Sequence, residues 1–122
     1  MYMIHIVDDD QNVRDGFLML LKSAGLKCSA FESAEKFLEN YKAGTNDLLI
    51  LDMHLPGMDG CSVMGYLRKK GFNLPIIIIT AYDEQTSRVA AKNHGALAYL
   101  RKPVDSAALL DLIKFSFAKN LN

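Results

Sequence analysis

Apolar residues gather into four compact runs and one weaker run along the 122-residue chain. The compact runs are Tyr2–Val7 (YMIHIV), Leu48–Leu51 (LLIL), Pro75–Ile79 (PIIII) and Leu97–Leu100 (LAYL); the weaker one is Leu26–Phe31 (LKCSAF). The runs at 48 and 75 are continuous rather than alternating. A strand covered on one face alternates apolar and polar residues, and a strand covered on both faces does not. These two runs therefore predict central strands of a parallel sheet.

Between the runs the apolar spacing becomes helical. Val13, Phe17, Leu20, Leu21 and Ala24 form one stripe across Gln11–Ala24. Asp10 stands where a helix cap belongs, and Gly25 where a C-terminal glycine belongs. Ser33 opens a short second helix with Phe37, Leu38 and Tyr41 inward and Gly44 as its end. Asp59 opens a third, with Val63 and Leu67 inward and Gly71 as its stop; Gly65 in its interior costs about 1 kcal/mol relative to alanine. A fourth runs from Glu84 to Asn93 on a thin stripe of Val89, Ala90 and Ala91. The fifth starts at Asp105 and aligns Leu109, Leu112, Ile113 and Ser116; of Phe115 and Phe117 near its end, at least one faces outward. Five repeats of strand then helix predict an α/β fold, a doubly wound five-stranded parallel sheet with helices on both faces and right-handed crossovers. Such sheets bind ligands beyond the carboxyl ends of their strands.

Composition narrows the function classes. The length fits a single domain over 1–122, and half of the residues are apolar, enough for one sizeable core. Formal net charge is zero, so direct nucleic-acid binding by this domain is not expected. Arg68-Lys69-Lys70 suits the last turn of the third helix, where cations complement the dipole. Cys28 and Cys61 lack metal or redox spacing and read as reduced thiols. The opening MYMIHIV lacks a basic segment and reaches Asp8 too early for a secretory signal. The longest apolar run falls far short of the roughly 20 residues of a membrane span. A cytoplasmic protein without a membrane partner is expected.

The strand ends carry the chemistry. The first run ends at Asp8 and Asp9, the third at Asp52, the fourth at Thr80 and the fifth at Lys102. Asp52 raises the question most sharply, because a buried strand ending on a carboxylate is costly unless the charge is paired or metal-bound. Parallel strands bring these groups to one edge. Three neighbouring carboxylates raise one another's pKa, and a hard divalent cation such as Mg²⁺ relieves the repulsion. Metal, ammonium and hydroxyl around one free carboxylate describe a phosphoryl-transfer site. In that site Asp52 is the nucleophile, and Asp8 and Asp9 hold the metal.

The pieces VDDD (7–10), LDMHLPGMDG (51–60), IIIITAYD (76–83) and YLRKPVD (99–105) resemble the receiver domain of two-component response regulators. The likeness runs from Ile4 to about Phe117. VRDGFLMLL, FESAEKFLENY and AYDEQTSRVAA are similar to receivers joined to LuxR-type DNA-binding domains, FixJ among them. The resemblance implies a flavodoxin-like (βα)5 fold and a phosphoacceptor at Asp52, charged from a phosphohistidine of a sensor histidine kinase or phosphotransfer protein. It implies Mg²⁺, with Mn²⁺ as a substitute, on Asp8, Asp9, Asp52 and the backbone carbonyl of His54. Thr80 and Lys102 take the phosphoryl oxygens, Tyr99 is the switch aromatic, and the Lys102–Pro103 peptide is cis. The face built from Glu84–Asn93, Leu97–Arg101 and Asp105–Lys119 is the output surface, controlling transcription, with phosphorylation-dependent homodimerisation as a further expectation. The chain then catalyses only its own phosphorylation and dephosphorylation. The ending FAKNLN is expected to belong to a longer regulator.

Other residues and readings are weaker. The His54 side chain is expected in solvent, His5 as a satisfied structural histidine, and His94 at a helix end. Tyr82 reads equally as a lid over the site or an exposed loop tyrosine. Asp8-x-Asp10 superficially resembles haloacid-dehalogenase-type phosphatases, but Asn12 stands where their threonine is expected. A flavodoxin-like electron carrier fails on three aspartates that would repel a flavin phosphate. A phosphorylation-independent interaction module is disfavoured by the intact set of Asp8, Asp9, Asp52, Thr80 and Lys102.

Overall fold

The structure is a computed structural model and describes residues 2–42 and 46–120. Strands and helices alternate strictly: β1 (Tyr2–Val7), α1 (Gln11–Ser23), β2 (Cys28–Phe31), α2 (Ala34–Asn40), β3 (Asn46–Asp52), α3 (Gly60–Lys69), β4 (Ile76–Thr80), α4 (Gln85–Asn93), β5 (Ala98–Arg101) and α5 (Ser106–Asn120). The strands form one parallel sheet in the order β2-β1-β3-β4-β5.

The continuous apolar strands have the two-sided burial their composition requires. Leu49 and Leu51 of β3 and Ile76 and Ile78 of β4 pack with Phe37, Val63, Met64, Leu67 and Ala91, from α2, α3 and α4. Leu48 and Ile50 of β3 and Ile77 and Ile79 of β4 pack with Phe17, Leu21, Leu109 and Ile113, from α1 and α5. Among the described residues the two apolar layers form separate clusters on opposite faces of the sheet.

Capping follows the sequence. Asp10 accepts the N–H of Asn12 at 2.8 Å and starts α1; Ser33 accepts that of Lys36 at 3.1 Å and starts α2; Asp59 accepts that of Ser62 at 2.8 Å and starts α3. Asp105 accepts that of Ala108 at 3.1 Å at the head of α5. Glu84 at the head of α4 makes no side-chain cap bond.

Boundaries shift where long-range contacts compete with local pattern. β3 starts at Asn46, two residues ahead of its apolar run, because Asn46 and Asp47 pair with Tyr2 and Met3. α2 stops at Asn40, whose side chain caps the Lys36 carbonyl at 2.7 Å. Tyr41 leaves the helix in extended backbone and donates its hydroxyl to Asp47 at 3.0 Å. Gly44, expected as the end of α2, lies outside the described residues. β5 is Ala98–Arg101 rather than 97–100. Val89, expected on the inner stripe of α4, is 49% exposed, leaving Ala91 as the buried residue of that helix. Phe115 faces outward and Phe117 inward.

Candidate functional site

Register brings the strand ends together. Val7 of β1 lies beside Leu51 of β3, Asp52 beside Ile79 of β4, and Thr80 beside Arg101 of β5. The next residues, Asp8 and Lys102, therefore emerge at the same carboxyl edge as Asp52 and Thr80. The chain winds in opposite directions from β1 and β3, so this edge is the switch-point crevice of an open α/β sheet. Asp8, Asp52 and Thr80 are buried there, and Asp9 is exposed.

One oxygen from each of Asp8, Asp9 and Asp52 lies within 4.8 Å of the others. The Lys102 ammonium reaches from β5 to the centre of the sheet, 2.8 Å from Asp8 Oδ2 and 3.1 Å from Asp52 Oδ2. The backbone N–H of His54 donates to Asp52 Oδ1 at 3.0 Å, and that of Asp10 to Asp8 Oδ1 at 2.9 Å. Three carboxylates against one ammonium leave two negative charges when all are ionised. Burial, and then the Asp8 carboxylate, push the pKa of Asp52 up, against the opposing pull of the His54 N–H and Lys102. Burial alone would lower the pKa of Lys102, but Asp8 and Asp52 outweigh it and raise it. The donors on offer are hard oxygens, the chemistry that suits Mg²⁺ and Mn²⁺.

The turn after Asp52 is built to come back close. Met53 donates its N–H to Ile79 O and accepts that of Gly60, each at 2.8 Å. Gly57, at φ +82°, lets the chain reverse after Pro56. A Cβ on Gly60 would sit 3.0 Å from Met53 Cα, 3.2 Å from Met53 Sδ and 3.3 Å from the Asp52 carbonyl oxygen, so the head of α3 approaches β3 more closely than a side chain fits without a shift of its neighbours. Sequence reading passed over Gly60; its place directly after the Asp59 cap was the available signal. On the other flank Lys102 donates its N–H to Thr80 O at 2.8 Å, and the Lys102–Pro103 peptide is cis.

Thr80 keeps its hydroxyl within its own loop. Oγ1 donates to the Tyr82 carbonyl at 2.9 Å and accepts the Tyr82 N–H at 3.1 Å. The Tyr82 ring is 66% exposed and stands edge-on to the exposed His54 ring, centroids 5.9 Å apart, so the two flank the mouth of the crevice. Tyr99 is half-buried; its hydroxyl is fully buried without a hydrogen-bond partner. The Arg88 guanidinium lies 5.6 Å from its ring centroid and pairs with Asp83, next to the Thr80 turn. An open groove of about 810 Å³ runs past Tyr99 between α4 and β5.

Other singled-out residues lie elsewhere. Asp10 is committed to capping α1, which removes the second carboxylate of a haloacid-dehalogenase-type pair. His5 packs against Phe31, Phe37 and Tyr41, with Nδ1 3.2 Å from Ser29 Oγ and Nε2 3.6 Å from Asp47 Oδ1. His94 closes α4 with Nδ1 2.8 Å from Ala90 O. Cys28 and Cys61 are free thiols. Asp47 and Arg14, which contacts the backbone of Asp8, were not anticipated from sequence.

Comparison with known proteins agrees with this geometry. The family model for the response regulator receiver domain matches residues 4–114. NtrC of Klebsiella pneumoniae, a DNA-binding transcriptional regulator, is 38% identical across 87% of this chain and 23% of its own. The transcriptional regulatory protein TdiR of Thauera aromatica is 34% identical across 96% of this chain and 52% of its own. The chain thus spans about a quarter to a half of the curated relatives it matches. Among solved structures, the response regulator StyR superposes with a TM-score of 0.90 at 37% identity, covering 98% of this chain and 61% of that one. FixJ-N does so at 0.83 and 28%, covering 95% and 93%. From its matching residues and its acidic switch-point crevice, the chain belongs to the response regulator receiver domain family of two-component signalling.

Proposed function

We propose that residues 1–122 act as one receiver domain whose signal is a phosphoryl group on Asp52, taken from a phosphohistidine of a sensor histidine kinase or phosphotransfer protein. The observation that carries this reading is the surplus of negative charge at the switch point, where three clustered carboxylate oxygens face one ammonium. Asp8, Asp9, Asp52 and the His54 carbonyl are the assigned ligands of Mg²⁺, with Mn²⁺ as its substitute. The bound ion supplies positive charge that screens these carboxylates from an incoming phosphate.

The chain's own groups do the rest. An Asp52 carboxylate oxygen attacks phosphorus, the P–N bond breaks, and its electron pair stays on the donor imidazole. Lys102 shares its ammonium with a phosphoryl oxygen in place of Asp52 Oδ2. The Thr80 hydroxyl exchanges the Tyr82 carbonyl for another phosphoryl oxygen. That exchange draws the 81–84 loop toward the crevice, and α4 follows because it buries little apolar surface. Tyr99 and the α4-β5-α5 face then change together, with homodimerisation and control of transcription as the output. The chain catalyses its own phosphorylation and dephosphorylation. A cytoplasmic location goes with this role; no described helix is long and apolar enough to cross a membrane.

Acetyl phosphate labelling followed by intact mass tests the reading. The expected result is one phosphoryl group on the parent with Mg²⁺, none without it, and none on Asp52→Asn. Equal labelling of Asp52→Asn, or continuous turnover of small phosphate esters with no trapped adduct, overturns it.

A further inference from the structure

The backbone carbonyl of Asp8 is the first acceptor beyond β1, past the end of its strand ladder. It accepts a hydrogen bond from Nη1 of Arg14 at 2.8 Å. Arg14 belongs to α1, is half-buried, and reaches back across the connection it follows. This carbonyl is part of the planar peptide that joins Asp8 to Asp9. One bond to it therefore fixes the plane from which both acidic side chains depart. The Asp8 N–H donates to Phe31 O at 3.2 Å, which holds the preceding Val7–Asp8 peptide, while the Asp10 N–H and Lys102 act on the Asp8 carboxylate.

We infer that Arg14 is a positioning residue for the metal-holding carboxylates: by clamping the Asp8–Asp9 peptide it aims both side chains at Asp52. The inference rests on the acidic crevice being a Mg²⁺ site, as proposed above. Charge and geometry pull in opposite directions here, which makes the sign of the effect decisive. As a nearby cation, Arg14 repels Mg²⁺, so by Coulomb's law its removal alone would tighten binding. As a clamp, its removal loosens two ligands and weakens binding. Groups that orient metal ligands from the next layer are typically worth 10–100-fold in affinity.

Isothermal titration with Mg²⁺ on the parent, Arg14→Met and Arg14→Lys decides the matter, with Mn²⁺ electron paramagnetic resonance as a second readout of ligand geometry. Arg14→Met keeps the apolar stem without a donor; Arg14→Lys keeps a cationic donor. The expected result is a dissociation constant raised about 10-fold by Arg14→Met, with most of it recovered by Arg14→Lys. An unchanged or tighter constant for Arg14→Met overturns the inference, even if its metal-free Tm falls, since that fall alone marks a purely structural contact. Should Arg14→Met fail to fold by circular dichroism, Arg14→Leu, also without a donor, takes its place under the same criteria. Absence of Mg²⁺ binding by the parent would instead overturn the metal reading itself, leaving the two failures distinguishable.

Discussion

Asp52 is 5% exposed, sits 3.1 Å from an ammonium and neighbours two other carboxylates, so its ionised form is held at a cost. A carboxyl whose native pKa is raised keeps its proton when folded at pH values where the unfolded chain has lost it. Stability therefore falls as pH climbs from the ordinary 3.8 through the raised native value, and at neutral pH Asp52 is a net burden on the metal-free fold. Asp52→Asn is expected to stabilise the metal-free protein by about 1 kcal/mol, the usual size of a single-residue effect. Mg²⁺ at 100 times its dissociation constant should stabilise the parent by about 2.7 kcal/mol and the variant much less. Thermal unfolding with and without Mg²⁺ checks both; a less stable metal-free variant would contradict the account. Asp8, Asp9, Asp52, Thr80 and Lys102 were readable in sequence because each follows an apolar run, which puts it at a strand end. Arg14 and Asp47 were not, because their partners depend on how a helix or strand lies across its neighbours.

Elements were readable where local pattern and tertiary contact agree. The caps Asp10, Ser33 and Asp59 needed only their own helices, and the two-sided strands needed only continuous apolar runs. Sequence reading erred where a distant partner decides. Val89 has the right residue type and spacing for an inward stripe, but α4 lies on the sheet through Ala91. The start of β3 was hidden because polar Asn46 and Asp47 join it by pairing with β1. The close return of α3 onto β3 was equally invisible, and it makes a firm prediction. Gly60→Ala places a methyl against Met53 Cα and the Asp52 carbonyl oxygen; the Met53 thioether beside it, at 3.2 Å, can swing aside, but the two backbone atoms cannot. It is expected to cost about 1–3 kcal/mol, read by urea unfolding. It should also slow acetyl phosphate labelling, because the displaced backbone carries Asp52.

One partly buried histidine contributes to the acid side of the global stability profile. Burial lowers the native pKa of His5 below its ordinary 6.5, outweighing the attraction of Asp47. Between the lowered value and 6.5 the unfolded chain binds a proton that the folded chain does not. Its contribution is therefore complete above pH 6.5 and is lost as pH falls toward the native value. Ser29, Asp47 and Tyr41 supply the polar and titratable atoms around the ring, with Phe31 and Phe37 as its apolar walls. His5→Gln is expected to flatten the pH dependence of the unfolding free energy just below pH 6.5, measured by urea titration; an unchanged slope would remove His5 from the account.

The sheet also insulates one apolar layer from the other. Side chains with no shared neighbour have additive effects, so engineers can treat the halves as separate modules. A combinatorial library at Phe17, Leu21 and Ile113 and another at Phe37, Met64 and Leu67 can be screened in parallel. The winners, grafted into one gene, should combine to the sum of their individual improvements.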